Sequence, residues 1–190
     1  LYNKSYFYSI SIKYEDAISA AKQALSIHRE LNNDVAIAGD LNIIANNSYK
    51  LGKIDEALNY YKQAIDLSKR VNDQAGIINL YNNVSNLYFS VGDYKSAIAV
   101  LFEELKVATE IGSNKDIGDA YNSIGGYYSL QGEDKNALMY FNKGLALQKK
   151  LNNTKGIAFC YQNLGKFYSD RNQFKQALYY FDEALKIEKL

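Results

Sequence analysis

The feature that most constrains this chain is a repeat. Ala17, Ala57, Ala97, Ala137 and Ala177 recur every 40 residues (57 − 17 = 40, and so on), and no insertion interrupts the series. Ile37, Ile77, Ile117 and Ile157 keep the same register, as do Leu31, Val71, Ile111 and Leu151. Tyr8, Tyr88, Tyr128 and Tyr168 form another row, with Ser48 as its exception. A fixed period of this length means one structural unit stacked on copies of itself. One such unit cannot bury its apolar stripe alone, whereas stacked neighbours bury it in a continuous core.

Each unit reads as two helices. The stretch from Ala75 to Gly92 contains no charged residue. Its Ile77, Tyr81, Val84 and Tyr88 fall at i, i+4, i+7 and i+11, one stripe on a helical period. Asn79, Asn82 and Asn86 fall on the other side, and unpaired amides of this kind exclude a membrane span. First helices are expected over Asp34–Lys50, Gln74–Ser90, Lys115–Leu130 and Thr154–Asp170. Second helices are expected over Tyr14–Leu31, Asp55–Val71, Tyr94–Ile111, Asp134–Leu151 and Phe174–Lys189, with Tyr2–Ile10 as a partial first helix. Gly52, Gly92, Gly132 and Asn172 sit where a helix stops in a left-handed residue. Asn32-Asn33, Asn72-Asp73, Gly112-Ser113 and Asn152-Asn153 supply turn and capping chemistry at the other ends. No linker or domain boundary is visible. The expected organisation is a single repeat domain over 1–190, made of a partial repeat 1–33 and repeats 34–73, 74–113, 114–153 and 154–190. Small residues at Ala45, Ser85, Gly125 and Gly165 predict close approach of the partner helix.

Composition excludes several function classes. The chain carries 22 basic and 21 acidic residues for a net charge of +1. That balance gives no general attraction to nucleic acid or to an acidic membrane surface. The single Cys160 cannot form an internal disulfide, and its apolar neighbours predict buried packing rather than a reactive thiol. His28 is the only histidine, which excludes a His-based metal cluster or a Cys–His nucleophile pair within the chain. Beside Arg29 and Glu30, it reads as a solvated surface residue. Asp55-Glu56 and Glu103-Glu104 begin or punctuate second helices, where helix-terminal charge and solvation explain them. No phosphate-binding loop is present. The expectation is therefore a non-enzyme with no catalytic residue, no metal and no cofactor. A chain that begins at Leu1 and has Met139 as its only methionine reads as a piece of a longer protein.

The residues Tyr161, Leu164-Gly165, Tyr168, Asn172, Ala177, Phe181 and Ala184 resemble the pattern of the tetratricopeptide repeat. Tyr121, Ile124-Gly125, Tyr128, Gly132, Ala137 and Phe141 resemble it again, with Gly144 in place of the last alanine. Gly92 and Ala97 hold in the middle repeat, where Leu101 and Glu104 depart from it. The proline that often closes a repeat is absent, and the period is 40 rather than about 34. This long form resembles kinesin light chain repeats and the peptide-sensing repeat domains of bacterial quorum regulators. HEAT and armadillo repeats have a similar length but lack the Leu-Gly-x-x-Tyr and Gly-x-Tyr-x-x-Ala signals. The resemblance implies an all-α fold, a right-handed α-solenoid of antiparallel helix pairs with a concave groove lined by the first helices. It also implies a binding scaffold, such as the sensor or adaptor part of a bacterial regulatory protein, and the lone cysteine favours a reducing, cytoplasmic compartment.

The candidate binding residues are amides and aromatics of the first helices. Asn42, Asn82, Asn122 and Gln162 share one repeat position, and Asn46, Asn86, Gly126 and Lys166 share the next turn. At about 100° per residue both rows lie opposite the Ile37/Ile77 stripe. An amide offers a donor and an acceptor, so a ladder of them suits the main chain of a protein segment or extended peptide. Tyr49 and Phe89, three residues after Asn46 and Asn86, would supply apolar pockets, as would Phe159 at the place of Gly39, Asn79 and Asp119, and Asn79 itself counts among the binding amides. Asparagine is a poor helix former in mid-helix, so its repetition there calls for a use. Two alternatives stand beside the groove: amides that are soluble filler with the chain acting as a structural spacer, and self-association through the terminal repeats.

Overall fold

Residues with positive φ punctuate the chain at intervals of 20 (52 − 32 = 20): Asn32, Gly52, Asn72, Gly92, Gly112, Gly132, Asn152 and Asn172, with φ between 51° and 80°. A side chain beyond Cβ is costly in this conformation, and glycine or asparagine carries the least cost. After Glu30 the Asn33 N–H donates to the His28 carbonyl at 3.0 Å and the Asn32 N–H to the Arg29 carbonyl at 3.1 Å. This is the Schellman pair that closes a helix end, and it recurs at Lys53/Gly52, Asp73/Asn72, Glu133/Gly132 and Gln173/Asn172.

The computed structural model describes residues 13–188. The partial helix expected over Tyr2–Ile10, Tyr8 with it, lies outside them, as does Lys189. Between the turns run α1 (Tyr14–Glu30), α2 (Asp34–Lys50), α3 (Ile54–Arg70), α4 (Gln74–Ser90), α5 (Tyr94–Glu110), α6 (Asn114–Leu130), α7 (Asp134–Lys150), α8 (Thr154–Ser169) and α9 (Phe174–Glu188). The expected bounds of α2 and α4 match; α1, α3, α5 and α7 end a residue earlier than expected, because Leu31, Val71, Ile111 and Leu151 serve as C-caps, as Asp170 does for α8, and α3 and α6 also start a residue earlier. Side chains of Asn33, Asp73, Asp93, Ser113 and Asn153 accept from backbone N–H groups of the first turn that follows. Those groups would otherwise lack a partner.

The fold is an all-α solenoid of antiparallel helix pairs, with no strand among the described residues. The helices form two compact units. The first, ending at Val91, holds α1 to α4; the second, from Gly92, holds α5 to α9. In the first unit α2 packs between α1 and α3, and α4 packs on α3. In the second, α6 packs on α5 and α7, and α8 packs on α7 and α9. The recurring alanines Ala17, Ala57, Ala97 and Ala137 are fully buried, which is what close helix approach requires. Gly125 and Gly165 do the same work. A Cβ at Gly125 would lie 2.8 Å from the Phe141 ring, and one at Gly165 would lie 2.6 Å from the Phe181 ring. Phe141, Tyr161, Leu164 and Phe167 join Cys160 in the core of the second unit. No helix among the described residues is long and apolar enough to cross a membrane.

Candidate functional site

The amide rows divide by burial, some drawn into the packing and others standing at the surface. In the first unit Asn42 and Asn46 belong mostly to the first group. The Asn42 Oδ1 accepts from Asn46 Nδ2 at 3.1 Å and from Asn83 Nδ2 of α4 at 3.0 Å. The Asn46 Oδ1 accepts from the Tyr61 hydroxyl of α3 at 2.8 Å. Tyr61 is buried, and burial pushes its pKa up. This network ties α2 to α3 and α4, and half-buries both amides. Tyr49 is also half-buried, with the Lys50 ammonium 5.1 Å from its ring centre. On α4, by contrast, Asn79, Asn86 and Phe89 are exposed and Asn82 is half-buried.

In the second unit the expected rung at Asn122 turns inward. Asn122 is only 9% exposed, with its Oδ1 3.8 Å from the Cys160 sulfur of α8. The cause lies on α7. Gly144 stands where the family pattern has alanine, and a Cβ there would come within 3.3 Å of the Asn122 Oδ1. The missing methyl lets the amide sink between the helices. Asn122 therefore lies in the packing, contrary to its expected place off the packing stripe. Phe159, Gln162 and Lys166 of α8 are exposed as expected.

Two clefts of the second unit collect these residues. Gln162 and Lys166 line one of about 550 Å³ with Asn163, Asp170 and Phe181, where Lys166 Nζ stands 3.4 Å from Asp170. Asn122 and Phe159 line another of about 330 Å³ with Lys115, Asp119, Gln148 and Lys155. Gln148 was not among the expected site residues, because it lies on a second helix. Its signal is a pair of glycines: a Cβ at Gly118 or at Gly156 would collide with its amide. A cleft in the first unit, about 350 Å³, pairs Arg29 and Arg70 with Asp34 and Asp66, so its charges balance.

His28 is not the solvated residue its neighbours suggested. Its Nδ1 lies 2.6 Å from the Oδ2 of Asp40 on α2, and Asp40 is fully buried. Burial raises the Asp40 pKa, and the hydrogen bond to His28 opposes that shift in part. Asp40 stands at the repeat position of Leu80, Ala120 and Cys160, so one unit replaces a core side chain by an acid and supplies its partner from α1. Cys160 is buried and its thiol pKa is raised by that burial. Among the described residues no group of three His, Cys, Asp or Glu side chains is placed to hold a metal ion.

Left-handed turns every 20 residues, close-packed Gly and Ala rows and paired helices define a helical repeat protein. The chain belongs to the tetratricopeptide repeat family, whose profile matches residues 36–110 and 116–189. No curated protein matches it by sequence. Several solved structures share the fold. BtubC from P. vanneervenii superposes with a TM-score of 0.81 at 18% identity, over 97% of this chain and 77% of that one. A Rap protein complexed with competence and sporulation factor gives 0.66 at 17% identity, over 97% of this chain and 62% of that one. A signal transduction ATPase with a tetratricopeptide repeat sensor from Pyrococcus horikoshii gives 0.80 at 18% identity, over 97% of this chain and 28% of that one.

Proposed function

We propose that the chain is a binding scaffold that takes a protein segment or extended peptide along the exposed face of its first helices. The observation that carries this reading is the exposure of polar and aromatic side chains on the first helices, with Asn79 and Phe159, and Asn86 and Lys166, at matching repeat positions. Asn79, Asn86 and Phe89 are exposed on α4, and Phe159, Gln162 and Lys166 are exposed on α8. Amides there can meet a main chain whatever its sequence, while Phe89 and Phe159 offer apolar contact. A sensor or adaptor role within a bacterial regulator fits this reading, and a sensor of the same fold in a signal transduction ATPase supports it.

A second reading, self-association through the last repeat, rests on α9. Leu178 is 63% exposed, whereas Ile18 and Ile98 at the same repeat position are buried. Phe174, Tyr179 and Leu185 extend that apolar face, and patches of this kind mark contacts.

Selection of binders from a random peptide library displayed on phage, against the whole chain, tests the first reading. Selected peptides should lose affinity for a Gln162→Ala variant by about 2-fold to 13-fold, at about 0.5–1.5 kcal/mol for one hydrogen bond. Unchanged affinity in a variant that circular dichroism shows to be folded would remove the groove. Sedimentation equilibrium of the wild type and of Leu178→Glu tests the second reading: a monomer at all concentrations would end it.

A further inference from the structure

The cleft of about 330 Å³ between α6, α7 and α8 is equipped differently from the same place one pair of repeats earlier. Subtracting 80 from each number gives the first unit's counterparts. Lys115, Asp119, Gln148, Lys155 and Phe159 correspond to Val35, Gly39, Ser68, Ala75 and Asn79. Charge, a long amide and an aromatic ring appear together in the second unit alone. The two amides of its floor are held by packing: Asn122 is 9% and Gln148 is 7% exposed. Gly118 and Gly156 leave the space in which the Gln148 amide sits. Both amide oxygens are occupied from within, Gln148 Oε1 by Asn153 Nδ2 at 2.8 Å and Asn122 Oδ1 by the Cys160 thiol at 3.8 Å. What these amides have left to offer a ligand is N–H. At the rim Lys115 is committed to Asp119 at 2.9 Å and to Asp116 at 3.6 Å. Lys155 makes no ion pair among the described residues, and Phe159 beside it is 50% exposed.

We infer that this cleft is a specificity pocket for an acidic side chain, Glu or Asp, of the bound peptide. The Lys155 ammonium pairs with the carboxylate, the Asn122 and Gln148 amides donate to it, and the Phe159 ring packs on the methylene stem. A hydrogen-bonded ion pair at a partly desolvated edge is stronger than a neutral bond, so one position of the ligand is read while the rest is held by its main chain. The inference rests on the binding-scaffold reading above.

The peptide library separates the two. Peptides selected on the wild-type chain should share an acidic residue at one position. Replacing that residue by Ala should weaken binding about tenfold or more. Selection on Lys155→Glu, an exposed site where folding is checked by circular dichroism, should yield Lys or Arg there instead. Lys155→Gln should bind the wild-type peptides several-fold more weakly, up to about fivefold. Binders that lack a common acidic position, or that ignore both Lys155 variants, would overturn the pocket and leave the scaffold standing. A library with no binders to the wild type would overturn both.

Discussion

At the scale of single residues, neighbouring glycines in α6 carry opposite roles. A Cβ at Gly125 would sit 2.8 Å from the Phe141 ring and 3.2 Å from the Ala137 carbonyl oxygen, whereas one at Gly126 meets nothing within 4 Å. Gly125→Ala should lower the urea midpoint, since overpacking costs about 1–3 kcal/mol against about 1 kcal/mol of helix propensity gained. Gly126→Ala should raise it, with about 1 kcal/mol of propensity and no clash. Equal effects of both would refute the helix-pair geometry. Asp40 allows a pH test. Its raised pKa means that the folded state holds a proton that the unfolded chain has released. Stability from this group is therefore complete below the ordinary carboxylate pKa and is lost as pH rises toward the raised value, by at most about 1.4 kcal/mol per pH unit. Urea midpoints of wild type and Asp40→Asn between about pH 4 and pH 7 should diverge, with the wild type losing ground as pH rises. Parallel curves would show that His28 compensates the burial completely.

At the scale of elements, the turns do more than stop helices. Arg171, between α8 and α9, donates to the Ser129 carbonyl and hydroxyl at the end of α6, each at 3.1 Å, pairs with Asp134 at the start of α7, and lies 3.7 Å over the Phe167 ring. It clamps one turn onto the preceding one. Arg171→Ala should cost about 2 kcal/mol in urea denaturation, because partly buried acceptors are left unpaired. Arg171→Lys should rescue little of that, since an ammonium cannot reproduce the planar fork or its stacking. A Lys variant as stable as wild type would reduce the clamp to a simple charge effect. The helix ends were legible in the residues themselves: Gly52, Gly92, Gly132 and Asn172 are residues that a left-handed stop accepts, whereas Asn32, Asn72, Gly112 and Asn152, left-handed as well, were legible only as turns. The inward turn of Asn122 was not. On a helical wheel it shares its place with Asn82, and the deciding atom is a methyl absent from Gly144 on another helix. His28 and Asp40 escaped for the same reason, being twelve residues apart and paired only once α1 lies against α2. Of the candidate site, the exposed Asn79, Asn86, Phe89, Phe159, Gln162 and Lys166 were readable from periodicity. Gln148 was not, because its amide reaches the cleft only through the space that Gly118 and Gly156 leave on two other helices.

At the scale of the whole molecule, the even charge balance shapes how a ligand is found and held. A net charge of +1 spread over 190 residues gives no long-range field to steer an acidic partner. For the proposed ligand of the second unit, affinity would come from contacts at close range: the amides of Asn122, Gln148 and Gln162, apolar contact at Phe159, and one ion pair at Lys155. Neutral hydrogen bonds and apolar burial are insensitive to moderate salt, whereas an exposed ion pair is screened over about 10 Å at 0.1 M and about 3 Å at 1 M. Raising NaCl from about 0.05 M to 0.5 M should therefore weaken a selected acidic peptide by no more than about fivefold, as one exposed pair contributes about 1 kcal/mol or less to be screened. In Lys155→Gln the same titration should be nearly flat, because Lys115 and Lys166 are already paired with Asp119 and Asp170 and the other contacts are uncharged. Isothermal titration calorimetry of both proteins across the salt series decides the matter. A loss of 100-fold or more in the wild type would mean that several cations hold the ligand, placing it on a surface richer in charge than these helices present. A slope that survives intact in Lys155→Gln would move the carboxylate to Lys166 or Lys115, and the pocket with it.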